Sequence, residues 1–349
     1  MILPGHPTGL MAESIGQAAR VLRAGELIGL PTETVYGLAA DAGNETAVAK
    51  IFAAKGRPSN HPLIVHVGDA SGVAHFADNV PAFACQLIKA FWPGPLTLIL
   101  PRRAGVAAAA AGGQNSIGLR CPSHPMAQAL LAVLAADPHP IHGLAAPSAN
   151  QFGRVSPTTA AHVQSEMGHG LLILDGGACD VGIESTIVDC TRGVPVLLRP
   201  GHITPAQMQA VCGQAVLTED DLSDASEKAP RASGTLESHY APNAKVRLME
   251  AKALQYALDL LGDEMEAKAG AAPDSSPVIA VYSRVILKSR SSKVLRRRMP
   301  DDANATAQQL FAVLREFDAQ GVKLIWVETP PPLAEWDGVR DRLTRASAV

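Results

Sequence analysis

The chain has 349 residues, enough for two domains and for a core that needs no disulfide staples. Hydrophobic residues make up 47% and charged residues 18%, which excludes wholesale disorder. A net charge of −3 excludes a generic nucleic-acid coat or membrane-surface binder while leaving room for a local basic site.

In chain order, periodicity predicts helix over 12–24, ended by Gly25, strand over 27–31, helix over 45–54 and a buried strand over 63–67. Helix follows over 81–91, strand over 96–100 and 116–120, and helix over 124–135. A short apolar strand is expected at 144–147, then helix over 158–166 started by Pro157. Strands are expected at 171–175, 185–189 and 194–199. Beyond residue 243, strands are expected at 246–248, 278–282 and 323–328, with helices at 254–266 and 305–319. This mixture is α/β, and its last part suggests a small parallel sheet.

Composition divides the chain into a domain over 1–212, a linker over 213–243 and a domain over 244–349. The linker is acidic, polar and weakly periodic. The last domain contains no His and no Cys, so the chemistry belongs to the first. Cys85, Cys121, Cys179, Cys190 and Cys212 form no CxxC pair, which argues against a disulfide framework or a zinc ribbon. Each is expected to be a small buried hydrophobe, and the chain is expected in a reducing cytoplasm. No apolar run approaches the ~20 residues that span a bilayer, and no signal peptide is evident.

Three polar clusters interrupt the first domain. Pro31-Thr32-Glu33-Thr34-Val35-Tyr36-Gly37 follows a strand, the usual place for ligands in α/β sheets. Its two hydroxyls and one carboxylate suit an ammonium or hydroxyl group, and the plain alternative is a strand–turn–helix junction. Lys55-Gly56-Arg57-Pro58 begins a loop that runs through His61 to His66 and suits phosphate or carboxylate, although no Walker loop is present. The plain alternative is a pair of helix-terminal cations on a solvated turn. Ser148-Ala149-Asn150 leads to Ser156-Pro157-Thr158, a polar loop entering a helix. Capping by Ser156 or Thr158 explains its end but not Ser148 and Asn150. Arg120 and Arg199 each end an apolar strand, where a charge needs a partner or a ligand. With Lys55 and Arg57 they suggest a focused anion pocket that works by positioning and charge stabilisation. No GxSxG elbow and no zinc-type His/Cys spacing occurs.

PTETVYGLAAD, KGRP with HPLIVHV, FWPGPLTLIL, SIGLRCP, PSAN with SPT, GIESTIVD and LLRPG occur in that order. Together they resemble the YrdC-like domain of L-threonylcarbamoyladenylate synthases. The last domain and Ser238-His239-Tyr240-Ala241-Pro242 resemble the long, two-domain form. The resemblance implies a twisted mixed sheet with helices around a concave cavity, plus a small Rossmann-like parallel α/β domain. It implies a nucleotidyltransferase that condenses L-threonine, bicarbonate or carbon dioxide, and ATP, with Mg²⁺ accompanying ATP and pyrophosphate released. The product serves a threonylcarbamoyl transferase complex acting on tRNA, and no stable tRNA complex is expected of this chain.

By the same resemblance, Thr34, His66, Arg120, Ser148 and Ser185 contact threonine. Arg57, His61, Ser116, Asn150, Ser156, Thr158 and Arg199 contact ATP, as do His239 or Tyr240 from a linker that caps the site. Lys55 and Arg57 add catalytic charge. The chain departs from the common pattern at His61, at Phe152 and at Ser233-Gly234-Thr235. The rival reading is a non-catalytic double-stranded RNA- or tRNA-binding module, with Arg290, Lys293, Arg296, Arg297 and Arg298 as its surface. That patch is otherwise a solvated basic loop.

Overall fold

The computed structural model describes all residues except 5–7, 223–229, 235–238, 268–277, 290, 292 and 349. Thr235 and Ser238 of the linker and Arg290 of the basic patch lie outside the described residues. The chain forms two compact units, Met1–Phe152 with Ser156–Thr235, and Gly153–Val155 with Leu236–Val349. Residues 213–243 are therefore shared, with Ser233 in the first unit and His239 in the second.

The first unit runs β1 (Ile2–Pro4), α1 (Thr8–Arg23), β2 (Ile28–Leu30), β3 (Gly37–Asp41), α2 (Glu45–Lys55), β4 (Ile64–His66), α3 (Val73–Phe76) and α4 (Ala82–Phe91). It continues β5 (Leu96–Pro101), β6 (Ser116–Arg120), α5 (Pro125–Ala135), β7 (Leu144–Ala145), α6 (Ala160–Met167), β8 (Leu172–Asp175), β9 (Thr186–Asp189), β10 (Val196–Arg199) and α7 (Pro205–Cys212). Its ten strands make one mixed sheet in the order β1-β8-β2-β3-β7-β4-β6-β5-β9-β10.

Strand alternation explains how this sheet serves both a core and a site. In β5, Leu96, Leu98 and Leu100 enter the main core with Val65, Ile117, Leu119 and Val188 from neighbouring strands. Each such side chain contributes about 1.5–3 kcal/mol on burial. The intervening residues look the other way. Ile99 joins Ile64 and Ile187 in a separate apolar cluster, and Thr97 reaches Ser185. The same alternation puts Ser116, Gly118 and Arg120 of β6, and His66 of β4, on that second face. A Cβ at Gly118 would lie 3.2 Å from Ile99 and 3.6 Å from Ile64, which confirms the shared face.

Local chemistry sets the helix ends. Asn44 accepts from Ala47 N at the start of α2, and Gly56 in the left-handed region closes it. Thr204 and Gln207 form a capping box on α7. Ile15, Ala18, Ala19 and Leu22 of α1 pack with Met126, Leu130 and Leu134 of α5.

The second unit runs β11 (Lys245–Met249), α8 (Ala251–Ala267), β12 (Ile279–Ser283), β13 (Val294–Arg298), α9 (Ala303–Ala319), β14 (Leu324–Glu328) and α10 (Asp337–Ser347). Its four strands are all parallel, in the order β11-β14-β12-β13. Leu254 and Leu258 of α8 cover Ile279, Val281 and Trp326.

Several expectations change. The polar run at 31–36 leads into strand β3, paired antiparallel with β2 and β7, not into a helix. Residues 294–298 are an edge strand, not a loop, because pairing with β12 supplies backbone bonds that their side chains do not advertise. Helix α6 is capped by Thr159, which accepts from His162 N, and not by Ser156 or Thr158. Four cysteines are buried as expected, while Cys85 is exposed. Strands β1 and β3 and helices α3, α7 and α10 were not among the expected elements. No helix among the described residues is long and apolar enough to cross a membrane.

Candidate active site

The second face of the large sheet is built from strand ends and the loops that follow them. Thr32 shapes the turn after β2, accepting from Thr34 N and Val35 N at 3.2 Å each and donating to Val35 O at 2.6 Å. Thr34 and Glu33 are thereby presented to Arg120 at the end of β6. Arg120 Nη1 donates to Thr34 Oγ1 at 2.8 Å, Nε donates to Gly94 O at 3.3 Å, and Nη2 lies 2.7 Å from Glu33 Oε1. His66 of β4 stands opposite Arg120 in the parallel register. Burial, and then the neighbouring Arg120 charge, push the His66 imidazole down to about 3, so it is neutral at physiological pH.

A second group forms around β9 and β10. Ser185 Oγ lies 2.8 Å from Thr97 Oγ1 and 3.2 Å from an Arg199 amino group. Arg199 also donates to Ser185 O through Nε at 3.1 Å and Nη2 at 2.9 Å, and to Ser233 O through Nη1 at 2.8 Å. Arg57 donates to Pro62 O at 2.9 Å and to Ser233 Oγ at 3.5 Å. The linker segment around Ser233 is thus seated on two of the expected ATP residues. Ala232 beside it packs on Ile64, Ile99 and Ile187.

Lys55, the last residue of α2, is fully enclosed. Its Nζ donates to Ser148 O at 2.6 Å and to Asn150 O. Burial, and secondarily Arg57, lower its pKa to about 7. Gln151 anchors the same loop, its N–H donating to Glu166 Oε2 at 3.0 Å and its amide to Ala54 O at 3.1 Å. Ser148 itself bridges to Gly37 at the start of β3.

Of the remaining expected residues, Ser156 donates to the buried Glu184 carboxylate. Thr158 is buried, with its Oγ1 3.3 Å from His162 Nδ1. Ser116 opens β6 on the site face. His61 meets the Phe152 ring edge-on at 5.6 Å, and Arg57 lies over that ring at 5.8 Å. Two of the three departures from the common pattern therefore pack on each other. Partial burial, then Arg57 and Arg231, hold the His61 imidazole below its usual range. His239 and Tyr240 belong to the second unit, where Tyr240 stacks on Phe311 at 5.6 Å under Arg342.

Thr97, Glu184 and Ser233 were not among the expected site residues, and Glu33 entered only as the carboxylate of the first polar cluster. The flanking threonines were the only local signal for Glu33. The others reveal themselves only through partners 88, 28 and 176 residues away.

The glycine of LLRPG has a steric reason. A Cβ at Gly201 would sit 2.5 Å from Thr186 N and 2.9 Å from the Ser185 carbonyl carbon. Gly201→Ala is expected to destabilise the protein by about 1–3 kcal/mol and, if Ser185 contacts substrate as the resemblance implies, to raise the KM for that substrate. Thermal melts and steady-state kinetics check both.

A mixed sheet carrying buried cations and hydroxyls at its strand ends defines a YrdC-like α/β domain. A family profile described as Telomere recombination, covering Sua5, YciO and YrdC proteins, matches residues 20–201. One described as Threonylcarbamoyl-AMP synthase, C-terminal domain, matches residues 203–348. The chain is 38% identical to the threonylcarbamoyl-AMP synthase of Bacillus subtilis, covering 95% of this chain and 92% of that protein. It is 35% identical to that of Pyrococcus abyssi, covering 95% and 93%. The structure of P. abyssi Sua5 complexed with L-threonine matches with a TM-score of 0.84 and 32% identity over 99% of this chain and 97% of that one. The chain belongs to the threonylcarbamoyl-AMP synthase family, in its two-domain form. These relatives are synthases, which does not favour the RNA-binding module.

Proposed function

We propose that the first unit makes threonylcarbamoyl-AMP from L-threonine, bicarbonate or carbon dioxide, and ATP. The observation that carries this reading is Arg120, a buried guanidinium held between Thr34 and Glu33 with neutral His66 in register beside it. On this reading Arg120 takes the threonine carboxylate, and Thr34, His66, Ser148 and Ser185 surround the rest of the amino acid.

The α-amine bonds to the carbon of carbon dioxide and loses a proton, giving a carbamate. A carbamate oxygen then bonds to the α-phosphorus of ATP. The bond from that phosphorus to the bridging oxygen breaks, and pyrophosphate leaves. On this reading Arg57 and Arg199, which now donate to Ser233, take the phosphates, sharing those donors with Ser233 or giving them up. Lys55 holds the loop that carries Ser148 and Asn150, and its charge would add to the same field. Mg²⁺ accompanying the nucleotide would supply charge neutralisation at the phosphates. His61, Ser116, Asn150, Ser156 and Thr158 complete the nucleotide side, and the linker restricts water around a hydrolysis-prone mixed anhydride. A threonylcarbamoyl transferase acting on tRNA would consume the product.

The test is pyrophosphate release by the full chain with Mg²⁺. It is expected only when ATP, bicarbonate and L-threonine are all present. Release that ignores threonine would assign a different acceptor, and no release would remove the enzymatic reading.

A further inference from the structure

The mechanism above gives no task to the buried carboxylate of Glu33. Glu33 is 5% exposed, and its ion pair with Arg120, itself 3% exposed, is the direct charge contact at the threonine end of the site. Two segments hold it, residues 120–123 and the loop at Val181. One carboxylate oxygen meets Arg120 of β6, the other accepts from Ser123 N at 3.1 Å, and the Glu33 carbonyl accepts from Val181 N at 2.7 Å. Both carboxylate oxygens and the backbone of Glu33 are thus engaged.

We propose that Glu33 is the specificity residue of the amino-acid site, balancing Arg120 so that the pocket takes a zwitterion and rejects a carboxylate lacking the ammonium group. The proposal rests on the placement of L-threonine at Arg120. The groups touching Arg120 are the hydroxyl of Thr34, the carbonyl of Gly94 and the carboxylate of Glu33. Only Glu33 among these carries charge, and His66 alongside is neutral. A monoanion bound to Arg120 would leave two buried negative charges facing one positive charge. An α-amino acid adds no net charge, and its ammonium lies within one short chain of its carboxylate, as Glu33 lies beside Arg120. Glu33 acts on the ligand through the charge it sets beside Arg120.

The experiment measures binding of L-threonine and of 3-hydroxybutanoate, its counterpart without the amino group, to the full chain by calorimetry. Wild type is expected to prefer threonine by about 100-fold or more, an order typical of one unpaired buried charge. Glu33→Gln keeps the shape and removes the charge. It is expected to weaken threonine by about 10-fold or more and to tighten 3-hydroxybutanoate, two shifts of opposite sign. Equal weakening of both ligands would reduce Glu33 to a structural support and overturn the proposal, as would no change in either. If Glu33→Gln does not fold, wild type still decides, because 3-hydroxybutanoate binding within about threefold of threonine contradicts a charge-balanced pocket. Arg120→Ala separates the two readings. Retained threonine binding there would remove the site assignment itself, while loss of both ligands leaves only the role of Glu33 in question.

Discussion

Arg120→Ala is expected to lower threonine-dependent pyrophosphate release by about 10²–10³-fold, the loss that follows removal of one partner of a buried charge-assisted contact. The effect should fall on kcat/KM for threonine and spare the KM for ATP, because Arg120 sits with Thr34 and Glu33 while Arg57 and Arg199 gather at Ser233. Stability should fall as well. Without Arg120, the Glu33 carboxylate keeps only the Ser123 N–H, and an uncompensated buried charge costs about 3–5 kcal/mol. The double variant Arg120→Met with Glu33→Gln removes both charges and should regain most of the melting temperature without regaining activity. Recovery of activity along with stability would mean that Arg120 supports the fold and does not touch the substrate.

Lys55→Met is the second large effect. The ammonium ties Ser148 O and Asn150 O together, so its loss frees the loop bearing two proposed ligands of different substrates. Misplacement on the order of 1 Å lowers turnover by about 10²-fold. Two buried carbonyls also lose a donor, at about 1–3 kcal/mol each, partly offset by no longer burying an ammonium. The pH dependence has a definite sign. In the folded chain the Lys55 pKa is lowered from 10.5 to about 7. Between those values the unfolded chain binds the extra proton, so wild-type stability contributed at this position rises with pH across that window and is flat below it. Lys55→Met lacks this dependence. Thermal melts at pH 6.5 and pH 9 (about half a unit below and two units above the folded pKa) should show a wider gap between wild type and variant at the higher pH. A gap that narrows would contradict the buried, easily deprotonated lysine.

Both arginines at strand ends were visible in the sequence because an apolar run that stops at a guanidinium is expensive unless something receives the charge. SIGLR and VPVLLR carry that signal openly. Lys55 and Arg57 were visible for a different reason. A cation-rich turn closed by Gly56 is short and local, and so is its chemistry. The use Lys55 is put to was not visible, because its acceptors lie 93 and 95 residues further on. Glu33 stood in plain view between two threonines, yet nothing nearby in the chain says that its partner is Arg120. Strand β3, with the sequence GLAAD, reads as a helix start, since small residues favour helix and the run is too short to show alternation. It is a strand because β2 and β7 pair with it on either side.

The amino-acid order sufficed for the α/β class, for most helices and buried strands and for the cations that make a site, because all of these rest on contacts or burial patterns within a few residues. Pairing across the sheet settled the rest. LTLILP alternates in a way that marks two faces but not which of them meets the core. Pairing with β6 and β9 turns Leu96, Leu98 and Leu100 inward and leaves Thr97 and Ile99 on the face of Arg120, His66 and Ser185. A shift of one residue would exchange those faces, and the energy that forbids it is the burial of three leucines against strands distant in the chain.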